Sequence, residues 1–177
     1  MDFTETTLSQ ETLYAGKIVN VRRDAVALSD GRESWREVVE HPGGVAVLPL
    51  CENGDVLLVR QFRYPFMEEC LEIPAGKLEL GEPHDEAGRR ELAEETGCTA
   101  GRYEYLGPLW PSPGYLNEVL HLYLAQDLFF GEASPDDGEL LCAERMPLAE
   151  LLNRIEAGEV KDAKTVAAAY RVWRKLK

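Results

Sequence analysis

The chain has 177 residues, of which 45% are hydrophobic and 29% are charged, so it is long enough for one globular domain with a substantial core. This composition excludes a largely disordered protein. Acidic residues outnumber basic residues by 32 to 19, for a net charge of −13. That charge excludes a general nucleic-acid binder and a protein of anionic membrane surfaces, because both need a basic face.

Other features of the sequence predict a cytoplasmic protein. The first five residues show neither the basic nor the apolar region of a signal peptide. The longest apolar run, at 45–50, is far shorter than the ~20 residues that cross a bilayer. The four cysteines are widely spaced without a CxxC pair: Cys51, Cys70, Cys98 and Cys142. This spacing predicts buried, reduced thiols rather than disulfides or a cysteine metal site.

Strand patterns occupy much of the chain. Alternating apolar and polar residues, or apolar runs bounded by turn residues, predict strands at 16–28, 34–40, 45–50, 55–63, 103–109, 119–125 and 139–146. Asp30-Gly31 and Asn53-Gly54 are hairpin signals. The break at His41-Pro42-Gly43-Gly44 predicts a small N-terminal sheet over 1–42 and a larger domain over 43–177.

Three helices are predicted. The first covers 83–96, because Pro83 suits a first helical turn and Gly97 suits a left-handed C-terminal cap. Apolar residues at helical spacing predict two closing helices over 147–157 and 161–177, and this spacing indicates a core-facing side rather than a cofactor site. Together with the strands, these helices favour an α+β or mixed α/β fold.

The first predicted helix carries the densest cluster of charges. Glu91, Glu94 and Glu95 fall within about one third of the helix circumference. Like charges so close together repel one another, and a hard divalent cation such as Mg²⁺ would supply the missing attraction. Arg89 and Arg90 can balance and orient the carboxylates. A solvated acidic helix face is the alternative, and it is favoured if the three glutamates are considered by themselves.

The residues around this helix resemble the Nudix box, G-x5-E-x7-R-E-U-x-E-E-x-G-U with U aliphatic. The matching residues are Gly76, Glu82, Arg90, Glu91, Leu92, Glu94, Glu95, Gly97 and Cys98. All seven fixed positions match, and Cys98 stands where an aliphatic residue is usual. By this resemblance Glu82 is expected to be structural or outer-sphere.

Resemblance to the Nudix family implies an α/β/α sandwich around a mixed sheet. It also implies hydrolysis of a nucleoside diphosphate linked to another group, with Mg²⁺ or alternatively Mn²⁺ as cofactor. Glu91 and Glu95 correspond to the principal metal ligands, together with the backbone carbonyl of Ala75, and Glu94 corresponds to a further contributor. Arg90 resembles the box arginine that orients a glutamate through a salt bridge.

Flanking segments resemble the ADP-ribose pyrophosphatase group of the family. They are 59–64, 71–76, 112–114 and 162–165. This resemblance implies hydrolysis of ADP-ribose to AMP and ribose 5-phosphate. Two alternatives stay open: a pyrophosphatase for another nucleoside diphosphate sugar, and a non-catalytic ADP-ribose sensor, which the intact box disfavours.

The group's substrate contacts correspond to five positions. Trp35 resembles an aromatic residue that stacks on adenine, and a strand Trp packed on a neighbouring sheet is an equal alternative. Arg63 resembles an arginine that contacts diphosphate or ribose oxygens, with a sheet-edge salt bridge as its alternative. Glu72 is expected to contact substrate hydroxyls. Pro113 and Gly114 are expected to shape a loop near the terminal ribose, although their spacing by itself indicates a turn.

The resemblance also implies a homodimer whose N-terminal segments, here 1–42, complete the partner's site. In this group a loop after the sheet supplies the carboxylate that orients or deprotonates the attacking water. Asp-Gly-Glu before Leu140 best resembles that loop, so Glu139 is the predicted residue, with Asp137 and Asp136 as alternatives. An acidic surface loop without this role is the remaining interpretation.

Overall fold

The computed structural model describes residues 2–134 and 140–177, which divide into two compact units. The N-terminal unit ends at Gly43 and also includes Trp110–Val119, and the main unit comprises Gly44–Leu109 and Leu120–Lys177. The first of these boundaries falls next to the division at 42/43 that the sequence predicts.

The described residues of the N-terminal unit form a three-stranded antiparallel sheet with the order β1-β2-β3. Its strands are β1 (Glu5–Ala15), β2 (Asn20–Leu28) and β3 (Glu33–Glu40). Register shifts around Leu8 and Leu13 make these two leucines the extra residues of β-bulges in β1. Every residue of β1 is exposed.

The segment Trp110–Val119 joins this unit through hydrogen bonds to β3. Val39 donates its N–H to the Tyr115 carbonyl at 2.7 Å, and Asn117 donates its N–H to the Val39 carbonyl at 3.1 Å. The Asn117 side chain accepts a further bond from the His41 N–H at 2.8 Å. These bonds satisfy backbone groups at the edge of the sheet and hold a segment that is distant in sequence.

The main unit contains two sheets, three α-helices and a short 3-10 helix (Tyr64–Phe66) among its described residues. The strands are β4 (Gly44–Pro49), β5 (Asp55–Arg63), β6 (Glu68–Glu72), β7 (Ala75–Lys77), β8 (Cys98–Leu109), β9 (Leu120–Phe130) and β10 (Leu141–Pro147). The helices are α1 (His84–Thr96), α2 (Leu148–Glu156) and α3 (Ala163–Leu176). The mixed sheet has the order β7-β4-β9-β8, with β4 parallel to β9, and the antiparallel sheet has the order β10-β5-β6.

The core lies on both faces of β4, whose six residues are all buried. Val45 and Val47 pack in a cluster with Ala87 and Leu92 of α1. Ala46, on the other face, belongs to a cluster that contains apolar residues of α2 and α3. A strand with buried side chains on both faces requires a covering layer on each side. The predicted α/β/α sandwich with a mixed sheet and a separate small N-terminal antiparallel sheet is confirmed.

Several predicted elements need correction. Residues 16–19 are a turn rather than the start of a strand, because the Gly16 N–H donates to the Val19 carbonyl at 3.0 Å. The exposed strand β1 and the short strands β6 and β7 were not predicted. β8 begins at Cys98 rather than at 103, directly after α1. Within the described part of the chain, no helix combines the length and the apolarity needed to cross a membrane.

Candidate active site

Helix α1 is held close to the mixed sheet by small residues and ends at a glycine cap. A Cβ atom at Gly88 would lie 2.0 Å from the Tyr103 hydroxyl oxygen, so the helix approaches the sheet at a distance that only glycine allows. Gly97 adopts the left-handed conformation with φ 69°, and its N–H donates to the Ala93 carbonyl at 2.8 Å. This packing directs the buried side chain of Glu95 toward β7.

Strand β7 contacts two of the predicted metal-binding glutamates. The Ala75 N–H donates to Oε2 of buried Glu95 at 3.0 Å. A Cβ atom at Gly76 would lie 1.9 Å from Oε1 of Glu91, so the carboxylate rests directly against the backbone of this glycine. The structure therefore explains the first glycine of the box: it leaves the space that the Glu91 carboxylate occupies.

Arg90 brings three carboxylates together. Its Nε and Nη2 atoms donate to Glu82 at 3.0 and 3.1 Å, and its Nη1 atom donates to Glu91 at 2.7 Å and to Glu94 at 2.9 Å. Hydrogen bonding to Glu82 is the largest cause that raises the pKa of Arg90. The same bond lowers the pKa of Glu82. Arg90 is thus a fixed cation at the centre of the acidic face.

The donor set fits a hard divalent cation. Glu91, Glu94 and Glu95 offer carboxylate oxygens from one helix, and the carboxylates of Glu91 and Glu95 lie beside the backbone of β7. Carboxylate oxygens are ligands that Mg²⁺ prefers. Among residues 2–134 and 140–177, no three His, Cys, Asp or Glu side chains already stand in a metal-holding arrangement. Arg90 donates to both Glu91 and Glu94, so its positive charge offsets part of the repulsion among these carboxylates.

A second charged cluster surrounds Glu72 at the end of β6. Arg63 donates to both oxygens of Glu72 at 2.7 Å, and the Lys164 ammonium donates to the same carboxylate. Burial would raise the pKa of Glu72, but hydrogen bonds and the charges of the two cations outweigh it and lower the value to about 2. Asp162 accepts a further bond from Lys164 at 2.9 Å.

Sequence reasoning did not assign a role to Lys164 or Asp162. The available signal was the segment 162–165, which resembles the same family group but shows no catalytic pattern. In the structure Asp162 is the N-cap of α3 and accepts the Thr165 N–H at 3.0 Å. The Thr165 hydroxyl accepts the Ile73 N–H at 2.9 Å, which ties the start of α3 to the segment between β6 and β7.

The other predicted substrate residues lie in the N-terminal unit. Trp35 is an exposed residue of β3, and the guanidinium of Arg23 lies 5.2 Å from the centre of its ring. Pro113 and Gly114 are exposed residues of the Trp110–Val119 segment. Glu139, Asp137 and Asp136 lie outside the described residues.

Comparison with known proteins agrees with this geometry. Residues 40–170 match the NUDIX domain, and residues 5–39 match the nucleoside diphosphate sugar hydrolase N-terminal domain. An ADP-ribose pyrophosphatase of Bacillus subtilis is 39% identical over 93% of this chain and 90% of the relative. An ADP-ribose pyrophosphatase of Mycobacterium tuberculosis is 35% identical over 94% of this chain and 82% of the relative.

Two further matches extend the comparison. A methanol dehydrogenase activator of Bacillus methanolicus is 39% identical over 94% of this chain and 91% of its own length. A solved structure of an ADP compounds hydrolase superposes with a TM-score of 0.86 at 26% identity, over 99% of this chain and 96% of the other. The family match, the glutamates of α1, the contact of the Glu91 carboxylate with the Gly76 backbone and the sandwich fold agree. The chain belongs to the Nudix hydrolase family.

Proposed function

We propose that this hydrolase cleaves the diphosphate of ADP-ribose with Mg²⁺ as cofactor and releases AMP and ribose 5-phosphate. The observation that carries the proposal is the carboxylate cluster on α1. In this cluster the Glu91 carboxylate lies against the Gly76 backbone, and the Ala75 N–H donates to Glu95. The two ADP-ribose pyrophosphatases, each matched over more than four fifths of its length, support the choice of substrate.

The metal is proposed to bind Glu91, Glu95 and the Ala75 carbonyl, with Glu94 as a further contributor. Nudix hydrolases generally need a divalent ion, and Mg²⁺ is proposed with Mn²⁺ as the alternative, because oxygen donors of this kind suit both ions. Bound there, the ion would act as a Lewis acid toward the diphosphate and would lower the pKa of water. Arg90 orients Glu91 and Glu94 by direct hydrogen bonds.

The remaining roles follow the sequence prediction. Glu139 is proposed to hold the attacking water and to accept its proton, with Asp137 or Asp136 as the alternative. Arg63 is proposed to bind diphosphate oxygens, with the buried Glu72 beside it. Stacking on adenine is proposed for Trp35, which is exposed.

The same proposal includes the loop at Pro113 and Gly114 as a contact for the terminal ribose. It also includes a homodimer in which residues 1–42 complete the partner's site. All four cysteines lie in the described part of the chain, but only Cys98 is buried; Cys51 and Cys70 are half-buried and Cys142 is exposed, so the prediction of buried thiols is wrong for these three. A cytoplasmic compartment is part of the same proposal.

A substrate panel with product identification tests this function. We expect AMP and ribose 5-phosphate from ADP-ribose with Mg²⁺, and a higher kcat/KM than for GDP-mannose or UDP-glucose. E95Q should lose activity by orders of magnitude while its melting temperature stays close to that of the wild type. E139Q should lower kcat with little change in KM.

Three outcomes would overturn parts of this proposal. A higher kcat/KM on another nucleoside diphosphate sugar would show that this sugar, rather than ADP-ribose, is the preferred substrate. Tight ADP-ribose binding without release of AMP would indicate a sensor. Wild-type rates in E95Q would refute the metal assignment.

A further inference from the structure

Glu72 is a buried carboxylate with two cations, and the two differ in their exposure to solvent. Its side chain is 3% exposed, whereas the side chain of Arg63 is 39% exposed and that of Lys164 is 9% exposed. Arg63 approaches from β5 and binds both carboxylate oxygens, while Lys164 approaches from the first turn of α3. One cation therefore borders solvent and the other is part of the interior.

Lys164 is held in place by a second carboxylate. Its ammonium donates to Asp162 at 2.9 Å as well as to Glu72. Asp162 is itself fixed as the N-cap of α3 by bonds from the Thr165 N–H and hydroxyl. Arg63, by contrast, has a more exposed side chain that makes one bidentate pair. Lys164 is therefore the more firmly held of the two cations, and Arg63 is the more exposed.

A buried carboxylate strongly opposes the loss of its only positive partner, because an uncompensated charge in the interior is expensive. Arg63 can leave Glu72 only if another cation keeps that carboxylate neutralised. Lys164 meets this requirement, since it binds Glu72 from α3 and not from β5, the strand that carries Arg63. Charge balance around Glu72 thus decides how freely Arg63 can move toward an anionic ligand.

We propose that Lys164 is a positioning residue that acts through Glu72: it stays as the permanent counter-ion so that Arg63 can exchange from Glu72 onto the diphosphate of the substrate. This inference rests on the proposed function. In the structure Arg63 is bound to Glu72. When a diphosphate arrives, Arg63 exchanges one pair of oxygens for another, and Lys164 prevents the exchange from leaving a bare buried carboxylate.

Removal of Lys164 should trap Arg63 on Glu72. In K164M, Arg63 becomes the single counter-ion described for that carboxylate, so the KM for ADP-ribose should rise by about tenfold while kcat changes much less. K164R keeps the positive charge beside Glu72, so its KM should stay closer to the wild-type value than the KM of K164M does. A purely structural role of Lys164 would lower the active fraction, and so kcat, without this change in KM.

The decisive experiment compares the effect of K164M in the wild type with its effect in the E72Q variant. Without the carboxylate there is nothing to trap Arg63, so K164M should raise KM about tenfold in the wild type but less than twofold in E72Q. Equal effects of K164M in both backgrounds would overturn the proposal. This comparison does not require that E72Q itself be fully active, because each K164M variant is compared with its own parent.

A readout without substrate separates this inference from the proposed function. Modification by phenylglyoxal, measured by mass spectrometry, reports how often the Arg63 guanidinium is free. Arg63 should react several-fold more slowly in K164M than in the wild type, and the K164M/E72Q double variant should restore the reaction. Arg60 is the internal reference, since it is 35% exposed and binds Glu144 through two of its nitrogens.

The two proposals fail differently. If Arg63 reactivity follows the expected pattern but ADP-ribose is not hydrolysed, the exchange of partners at Glu72 stands and the substrate is wrong. If ADP-ribose is hydrolysed but K164M keeps the wild-type KM and the wild-type Arg63 reactivity, the role of Lys164 is refuted and the function stands.

Discussion

Gly76 shows how a single missing side chain shapes the proposed metal site. The carboxylate of Glu91 occupies the volume that a Cβ atom would need, with Oε1 at 1.9 Å from that position. G76A must therefore displace a proposed metal ligand. We expect the Mg²⁺ concentration for half-maximal activity to rise by at least about tenfold. A magnesium titration of the hydrolysis rate measures this change.

A matched control is available in another strand of the same sheet. A Cβ atom at Gly101 would lie 3.2 Å from the Cβ of Asp127, a contact with an exposed side chain rather than with the glutamate cluster. G101A should keep the wild-type magnesium dependence. If G76A also keeps it, the space behind Glu91 is not needed for metal binding.

Glu72 should make stability depend on pH in a defined window. Burial raises its pKa, but the bonds from Arg63 and Lys164 lower it from 4.5 to about 2. A carboxyl group that holds its proton less tightly when folded stabilises the protein fully above its unfolded pKa. That contribution disappears as the pH falls from about 4.5 toward about 2, and it amounts to on the order of 3 kcal/mol.

The test compares the free energy of unfolding at about pH 6 and about pH 3.5. E72Q cannot titrate at this position, so the wild type should lose about 1 kcal/mol more than E72Q over this interval. The exposed residue Glu159 provides the control, and E159Q should behave as the wild type does. Identical pH dependence in the wild type and E72Q would contradict the lowered pKa.

The two charged clusters differ in how far their residues could be predicted from the sequence. The α1 glutamates share one helix, so spacing along the chain predicts their proximity. Lys164 and Glu72 are 92 positions apart, and the packing of α3 within the main unit brings them together. Resemblance to the family group could propose Arg63 and Glu72 individually, but it did not predict that Lys164 binds the same carboxylate.

At the scale of elements, the start of α3 connects helix stability to the Glu72 cluster. Asp162 caps the helix through the Thr165 N–H and also binds Lys164. D162A removes both interactions and should reduce the free energy of unfolding by about 1–2 kcal/mol, as measured in urea. D162N keeps an oxygen that can cap the helix, so it should lose clearly less. Equal losses would show that the charge, rather than the cap, dominates.

The accuracy of the element predictions follows the burial of each strand. The fully buried β4 and the largely apolar β5 were located within one residue of their bounds. Strand β1 was missed because it is exposed throughout and its alternation is shifted twice by the bulges at Leu8 and Leu13. Strand β7 is three residues long, too short for a periodic pattern, although it contains the glycine that contacts Glu91.

For the whole molecule, the net charge of −13 has to be reconciled with an anionic substrate. Part of the acidic excess is paired within the two clusters, where Arg90 binds three glutamates and Glu72 has two cations. The α1 carboxylates offer sites for divalent cations, which would invert the local charge that a diphosphate meets. The overall charge therefore disfavours polyanions without excluding a single nucleotide.

The proposed homodimer can be tested by substitutions in strand β1. Leu8 and Leu13 are half-exposed apolar residues at the two bulges of a strand that is exposed throughout. If residues 1–42 form the dimer contact, charges at both positions should prevent association, because buried unpaired carboxylates oppose it. Sedimentation velocity should show L8E/L13E as a monomer at concentrations where the wild type is a dimer, with activity reduced in parallel.

The control for that experiment is L176E, which places the same charge on a half-exposed leucine at the end of α3. It should sediment as the wild type does, because its position lies outside 1–42. Circular dichroism of L8E/L13E checks that the sheet is retained, which separates lost association from unfolding. A fully active monomer in this variant would refute the shared site. An unchanged dimer would show that β1 does not form the dimer contact.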